Sequence, residues 1–278
     1  MKTKIKQIQK CCLKLFDEFI RIATKYNLSW FVDGGTLLGA VRNQQMIKWD
    51  DDIDIVMPRN DFNKLLKIGP LEFKNKYFFQ TTDTDNIFQL CAKLRLNNTI
   101  GMTKNEYELD CHKGIFIDIF PLDYISNYDN FESEKAMIRQ TKNIELSKEL
   151  TMDKKRLAYR NINYVLTNYS NSDTKEYVAE MILYRYSKYK DMELRIASTA
   201  YSEYILINFK GLKQQIRIPI GYDEILRRWY GDNYLIPKKE KSLHGNTFYD
   251  VHHDICHYKN YKKVSFEQFC KSNNCTNC

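Results

Sequence analysis

The chain has 278 residues, a net charge of +8 and 43% hydrophobic residues, an ordinary globular composition that is rich enough in apolar residues to form a core. No run of eighteen apolar residues occurs, and residues 1–10 are polar and charged, so we expect neither a membrane span nor a signal peptide. The positive charge fits a plain basic soluble protein as well as one that attracts polyanions such as nucleotides, phosphorylated glycans or an anionic membrane face.

Hydrophobic periodicity and turn residues divide the first half of the chain into helices and strands. They predict, in chain order, a helix at 4–26, a strand at 30–32, a helix at 36–42, a strand at 52–57, a helix at 60–68 and strands at 77–81, 90–96 and 115–120. We expect the last strand to stop at Pro121, because proline cannot donate a ladder hydrogen bond.

The second half has a different character. Residues 130–198 contain no glycine or proline and are rich in lysine, glutamate, tyrosine and leucine, which predicts two or three helices. Beyond them we predict short strands at 205–209 and 216–218, a helix at 222–230 closed by Gly231, and a polar tail after 240. The predicted organisation is one compact unit with a catalytic core at 1–125, a helical insertion at 126–200 and a C-terminal section at 201–278 that completes the cleft.

One acidic segment is especially informative, since Asp50, Asp52 and Asp54 occupy alternate positions. On a strand, alternate side chains share a face, so three carboxylates would lie in a row while Ile53 and Ile55 point into the core. Crowded carboxylates repel one another unless a cation holds them, and oxygen ligands suit a hard divalent ion. The segment therefore predicts a Mg²⁺- or Mn²⁺-dependent enzyme that acts on phosphates.

Two glycines, Gly34 and Gly35, open the preceding helix, and the backbone N–H groups of a helix N-terminus can bind phosphate. Asp118, on a later strand, could complete a carboxylate cage, and two ions in such a cage can stabilise the attacking and leaving oxygens of a phosphoryl displacement. A glycine pair alone is more often a simple turn, and an acidic run alone is more often a solvated surface. Together they are typical of the polymerase-β-like nucleotidyltransferase superfamily.

Longer blocks carry a closer resemblance. The segments Asp33–Arg42 (DGGTLLGAVR), Ile47–Ile55 (IKWDDDIDI) and Gly114–Asp123 (GIFIDIFPLD), with the later stretch Tyr222–Pro237, resemble the LicD family. That family includes bacterial phosphocholine transferases, and fukutin and the fukutin-related protein are relatives. The resemblance implies an α/β fold (α+β by a stricter label), with a nucleotidyltransferase-like mixed sheet flanked by helices and an added helical section.

The resemblance also implies an activity, namely transfer of a phospho-alcohol such as phosphocholine from a CDP-linked donor to a sugar hydroxyl of a cell-surface glycan. Carried over residue by residue, Asp52, Asp54 and Asp118 are metal ligands for two Mg²⁺ or Mn²⁺ ions. Asp118 is also assigned as general base or acceptor-orienting group, and Asp50 ligates, orients or holds a water molecule. The candidates for binding substrate phosphate are Gly34, Gly35, Thr36, Arg42, Lys48, Lys93 and Arg95.

Several basic and metal-binding residue types have simpler interpretations. Lys93 and Arg95 alternate with inward-facing leucines, which favours a solvated strand face, with contact to nucleotide phosphates as the alternative. His112 is interpreted as an ordinary loop histidine. Cys275 and Cys278 have the spacing of metal ligands, but their potential partners are irregularly placed, so we expect reduced thiols and no structural zinc.

Three rival functions remain open at this point. A nucleotidyltransferase that moves a nucleoside monophosphate onto a small molecule or sugar phosphate would use the same cage. A nucleic-acid-binding module is disfavoured, because the acidic triple would repel phosphate without metal, and the intact carboxylates disfavour a non-catalytic binder. We expect a CDP-linked donor, a glycan acceptor that could be lipid-linked, no nucleic acid, and a cytoplasmic location, with peripheral contact at the inner membrane face as a further option.

Overall fold

A computed structural model describes residues 5–125, 140–170, 177–180, 196–238 and 247–273. The helices are α1 (Ile5–Lys25), α2 (Gly34–Asn43), α3 (Arg59–Glu72), α4 (Met152–Ser170), α5 (Tyr222–Tyr230) and α6 (Phe266–Ser272), with a further short helical segment at 140–146. The strands are β1 (Phe31–Val32), β2 (Asp54–Pro58), β3 (Tyr77–Gln80), β4 (Ala92–Leu96), β5 (Ile100–Thr103), β6 (Phe116–Ile125), β7 (Tyr177–Glu180), β8 (Ile196–Ala197), β9 (Tyr204–Ile207), β10 (Ile216–Pro219) and β11 (Thr247–Asp250).

The described strands form a seven-stranded mixed sheet and two small two-stranded sheets. In the large sheet the order is β1-β2-β6-β4-β3, and β7 and β8 extend it beside the second half of β6. Strands β2 and β6 run parallel, whereas the other pairs are antiparallel. This architecture confirms the predicted α+β class with a mixed sheet.

The amphipathic helix α1 packs over the middle of this sheet, in contact with β4 and β6. Its residues Cys12, Leu15, Phe16 and Phe19 are fully buried, as the helical spacing of its apolar positions predicts. Trp30 meets Phe16 and Phe19 edge-on, with both ring centroids 5.6 Å away. The core therefore fixes the chain immediately before the glycine-opened helix. Among the described residues, no helix combines the length and the hydropathy needed to cross a bilayer.

Strand β6 does not stop at Pro121, and that prediction is wrong. Strand β4 pairs with Phe116–Ile119 of β6, and β7 pairs with Leu122–Ile125. The N–H of Asp118 points toward β2, where it donates to the Ile53 carbonyl, so by strand alternation position 121 points to the other side. On that side, Pro121 lies between the part of β6 that pairs with β4 and the part that pairs with β7. Its missing N–H therefore breaks no hydrogen bond.

The predicted all-helical insertion at 126–200 is also wrong in part, because β7 and β8 join the large sheet. Helix α4 attaches through a buried ion pair: Arg59 contacts both carboxylate oxygens of Asp123 at 2.6 Å and donates to Asn163 of α4 at 2.7 Å. This arrangement joins α3, β6 and α4. Residues 126–139, 171–176 and 181–195 lie outside the described part of the chain, and the helices predicted there stay predictions.

The polar tail contains structure that the sequence pattern did not predict. Strand β11 pairs with β5, which was also missed, and α6 packs beside them. Together they bury a second apolar cluster made of Ile100, Met102, Tyr107, Phe248, Phe266, Phe269 and Cys270. Cys275 and Cys278 lie outside the described residues, so the expectation of reduced thiols there stays a prediction.

Candidate active site

Three charged side chains form a row across adjacent strands of the large sheet. Asp54 on β2 lies opposite Asp118 on β6, and Asp118 lies opposite Lys93 on β4, so the three share one face. Carboxylate oxygens of Asp52, Asp54 and Asp118 all lie within 4.8 Å of one another. The structure therefore brings together the three acids that the sequence assigned as metal ligands.

The acidic segment is a strand only from Asp54 onward, and the predicted strand start at residue 52 is wrong. Residues 50–53 form an irregular approach to β2, in which oxygens of Asp50, Asp51 and Asp52 also lie within 4.8 Å of one another. The side-chain amide of Gln9 on α1 donates to the carbonyls of Ile47 and Asp50, both at 2.9 Å. Strand β1 is only two residues long and offers no hydrogen-bond partners to this segment. Contacts from α1 hold the segment instead.

The two glycines permit the carboxylates to approach the start of α2. A Cβ atom on Gly34 would lie 2.7 Å from Asp54 Oδ2, and one on Gly35 would lie 2.5 Å from Asp50 Oδ2. Gly34 also has a φ of +54°, which favours glycine. Thr36 Oγ1 accepts a hydrogen bond from the Asp54 N–H at 3.0 Å. The positive end of the helix dipole therefore faces the carboxylates, and the role of these three residues in holding donor phosphate stays a prediction.

Lys93 lies within the site and not on a solvated strand face, so the simpler interpretation of its position is wrong. Its Nζ donates to Asp118 Oδ1 at 2.6 Å and lies 3.6 Å from the ring centroid of Phe116. Burial is the largest single effect and opposes the charged form, but the negative charges of Asp118, Cys91 and Glu106 together raise the pKa of Lys93 overall. The side chain is therefore an ammonium ion fixed beside the carboxylates.

Arg95 has a structural role. Its side chain is fully buried, forms an ion pair with Glu106, and donates to Gln80 Oε1 at 2.6 Å and to the Gly114 carbonyl at 2.8 Å. Both sequence interpretations, a solvated face and a contact with nucleotide phosphate, are wrong for this residue. The reason is that Gln80, Glu106 and Gly114 enclose its guanidinium group and occupy its donors.

The other two basic candidates lie in the last turn of α2 and in the turn before the acidic segment. Arg42 lies in the last turn of α2, about 12 Å along the axis from its glycines, and donates to the carbonyls of Tyr234 and Ile236. That contact makes it a structural link to the segment after α5, and its predicted phosphate contact has no support. Lys48 is exposed in the turn before the acidic segment.

The structure adds a residue that the sequence analysis missed. Tyr249 on β11 donates its hydroxyl to Asp51 Oδ2 at 3.0 Å. Burial, together with the charges of Asp51 and Asp52, raises its pKa well above the ordinary value, so the phenol keeps its proton. Because almost two hundred residues separate the partners, no local pattern signals the contact.

Comparison with known proteins bears on this site. A family model described as "LicD/FKTN/FKRP, nucleotidyltransferase domain" matches residues 27–165, half of the chain, including α2, the acidic segment and β6. The lipopolysaccharide cholinephosphotransferase LicD of Haemophilus influenzae is 24% identical over 264 residues, which cover 86% of this chain and 94% of that protein.

Two rickettsial proteins match shorter stretches. The uncharacterized protein RP689 of Rickettsia prowazekii is 33% identical over 84 residues, 30% of each chain. The uncharacterized protein RT0683 of Rickettsia typhi is 31% identical over 117 residues, which cover 42% of this chain and 35% of that protein.

Proposed function

The chain belongs to the LicD family, and from that premise we propose that it transfers a phospho-alcohol, such as phosphocholine, from a CDP-linked donor to a sugar hydroxyl of a cell-surface glycan. The observation that carries the proposal is the cluster of Asp52, Asp54 and Asp118 beside the glycine-opened end of α2. The relative from Haemophilus influenzae is a lipopolysaccharide cholinephosphotransferase, which supports both the transferred group and a glycan acceptor.

The donor set fits a hard divalent cation, Mg²⁺ or Mn²⁺. All donors are carboxylate oxygens, and Asp52 and Asp118 are only 6% and 2% exposed, where uncompensated negative charge would be costly. Asp52 belongs to both groups of three acids, which supports two neighbouring ions that share this residue. When bound, such ions would neutralise phosphate charge and polarise the phosphoryl group.

Residues of this chain hold the acids in place before any substrate binds. Lys93 fixes one oxygen of Asp118, Tyr249 fixes one of Asp51, and Gln9 fixes the Asp50 backbone. Prearranged charges stabilise a transition state without reorganisation. The sugar hydroxyl oxygen would bond to the phosphorus next to the alcohol while the pyrophosphate bond breaks and CMP leaves. The hydroxyl proton would pass to a carboxylate, for which we assign Asp118.

The alternative is transfer of a nucleoside monophosphate onto a small molecule or sugar phosphate. The description of the matching family model, a nucleotidyltransferase domain, keeps this alternative under consideration. The two reactions differ in the phosphorus attacked, so the leaving product distinguishes them: CMP in the first case and pyrophosphate from a nucleoside triphosphate in the second.

The test is product analysis with purified protein, Mg²⁺ or Mn²⁺, a glycan acceptor and a panel of CDP-choline, CDP-ethanolamine, CDP-glycerol and CDP-ribitol. We expect metal-dependent release of CMP, abolished by EDTA. Asp52→Asn should lower the rate by roughly a hundredfold or more with a cooperative unfolding transition retained. Asp153→Asn, at an exposed position of α4, is the matched control and should keep full activity. Full activity of Asp52→Asn would refute the assignment.

A further inference from the structure

The hairpin of β9 and β10 exposes apolar side chains on consecutive positions. Strand β10 is the inner strand, near β1, with Ile216 and Ile218 buried. Strand β9 is the outer one, and its side chains do not alternate between core and solvent as those of a half-covered strand do. The exposed fractions are 47% for Tyr204, 36% for Ile205, 50% for Leu206 and 45% for the adjacent Ile220.

This apolar strip is mounted on a fixed base. Phe209, just beyond β9, is buried in the main core, and the Lys210 N–H donates to the Gln44 carbonyl at 2.7 Å. Arg217 of β10 donates to the Leu28 carbonyl at 3.1 Å, and its guanidinium carbon lies 4.6 Å from the ring centroid of Tyr204. The exposed side chains are therefore held in position by packing and are not part of a loose loop.

The tip of the hairpin lies against α1. Gly211 approaches Leu13 so closely that a Cβ atom would lie 2.7 Å from its Cδ1, and the Lys213 N–H donates to Asp17 Oδ1 at 3.3 Å. By helical geometry, the α1 face that bears Leu13 and Asp17 also bears positions 6, 10 and 14. All three positions are exposed lysines.

Lysines thus lie at the hairpin tip and on the face of α1 that the tip contacts. Lys210 and Lys213 are exposed at the hairpin tip, and Glu203 is the single acidic residue between positions 203 and 220. Among ion pairs between described residues, none involves these lysines. We define the hairpin surface as the apolar residues Tyr204, Ile205, Leu206 and Ile220 with the basic residues Lys6, Lys10, Lys14, Lys210 and Lys213.

We propose that the hairpin surface docks the protein on a bilayer that contains anionic phospholipid. Lysines near such a surface are attracted by its negative potential, and apolar side chains beside them enter the headgroup and acyl boundary. A second copy of this chain would bring the same lysines face to face and be repelled. A soluble polyanion would satisfy the lysines and leave the apolar strip in water. This docking does not depend on which group the enzyme transfers.

Vesicle co-sedimentation of the full chain tests the proposal, with vesicles of phosphatidylcholine alone and of phosphatidylcholine containing about a third phosphatidylglycerol. We expect binding to the anionic vesicles that weakens with added salt. Lys210→Glu with Lys213→Glu should lower the partition coefficient roughly tenfold or more, since each lysine contributes about fivefold. Ile205→Ser with Leu206→Ser should lower it by a similar factor.

Matched controls use exposed residues elsewhere. Leu157→Ser with Tyr164→Ser on α4 matches the apolar pair, and Lys67→Glu with Lys76→Glu matches the charge reversal. All four double variants should unfold cooperatively, because the changed side chains are exposed. The proposal is overturned if wild-type protein binds neither vesicle, or if hairpin and control variants lose binding equally. It is also overturned if light scattering finds a dimer that the Ile205→Ser/Leu206→Ser variant abolishes.

Discussion

Lys93 and Asp118 lie directly opposite each other on adjacent antiparallel strands, and the lysine Nζ donates to Asp118 Oδ1 over 2.6 Å. The protein thus supplies its own cation to one of the carboxylates that the proposed metal ion would bind. Because both cations attract the same carboxylate, they compete for it, and Lys93 affects both the stability of the cation-free protein and its affinity for metal.

Replacing Lys93 separates these two effects. In Lys93→Met the carboxylate of Asp118 loses its ion-pair partner, so we expect the metal-free protein to lose about 1–3 kcal/mol of unfolding free energy. The stabilisation by saturating Mg²⁺ or Mn²⁺ should exceed that of wild type, because the ion no longer competes with the ammonium group. Thermal unfolding across a metal titration measures both. Lys76→Met, at an exposed position, is the control, and an unchanged metal response in Lys93→Met would contradict the competition.

A methyl group at Gly35 should disturb the site through Asp50. The Cβ atom would lie 2.5 Å from Asp50 Oδ2, so the carboxylate must move, while alanine itself favours a helix. We expect Gly35→Ala to weaken metal binding and to slow CMP release without lowering the unfolding midpoint. In an Asp50→Ala background the same change should have little further effect. Equal losses in both backgrounds would show that the glycine acts independently of Asp50.

His112 should make stability depend on pH. Its Nδ1 accepts the Gly114 N–H at 3.1 Å, its Nε2 therefore donates to Asn97 Oδ1 at 2.9 Å, and burial, aided by the charge of Arg95, lowers its pKa to about 4. The unfolded value is about 6.5. The neutral imidazole of His112 thus makes its full contribution to the unfolding free energy above pH 6.5, and this contribution is lost as the pH falls toward 4.

Urea unfolding at pH 7 and pH 4.5 measures this contribution. Between these two pH values, wild type should lose about 2–3 kcal/mol more unfolding free energy than His112→Gln. Carboxylates that titrate in the same range contribute equally to both proteins and cancel in the difference. The same loss in both proteins would show that His112 is not buried as a neutral imidazole.

Arg59 and Asp123 form a buried ion pair. We expect that removing only one partner destabilises the protein more than removing both. Arg59→Met leaves a buried carboxylate without its cation, so we expect a loss of about 3–5 kcal/mol in unfolding free energy. The double variant Arg59→Met/Asp123→Leu removes both charges and should be more stable than the single variant. Urea unfolding of the three proteins measures this difference. An additive loss in the double variant would contradict the account.

Local patterns in the sequence were sufficient for several elements and for the choice of acids. Helix α5 has the predicted bounds, and α1, which is described from Ile5 onward, ends one residue before its predicted end, because apolar spacing and end signals are local properties of the chain. The acidic segment, the later acidic strand and the family resemblance together identified Asp52, Asp54 and Asp118 as a group, since carboxylates that lie close together call for a cation.

Tertiary structure decided the remaining features. Lys93 and Arg95 are two residues apart on β4. Lys93 contacts the carboxylate of Asp118 on β6, whereas Arg95 is buried in an ion pair with Glu106. Tyr249 joins Asp51 across nearly the whole chain. The sequence by itself determined which residue types carry the chemistry, through local propensity and charge. Which of them are buried, paired or open to substrate depended on contacts between distant segments, and no local pattern encodes those contacts.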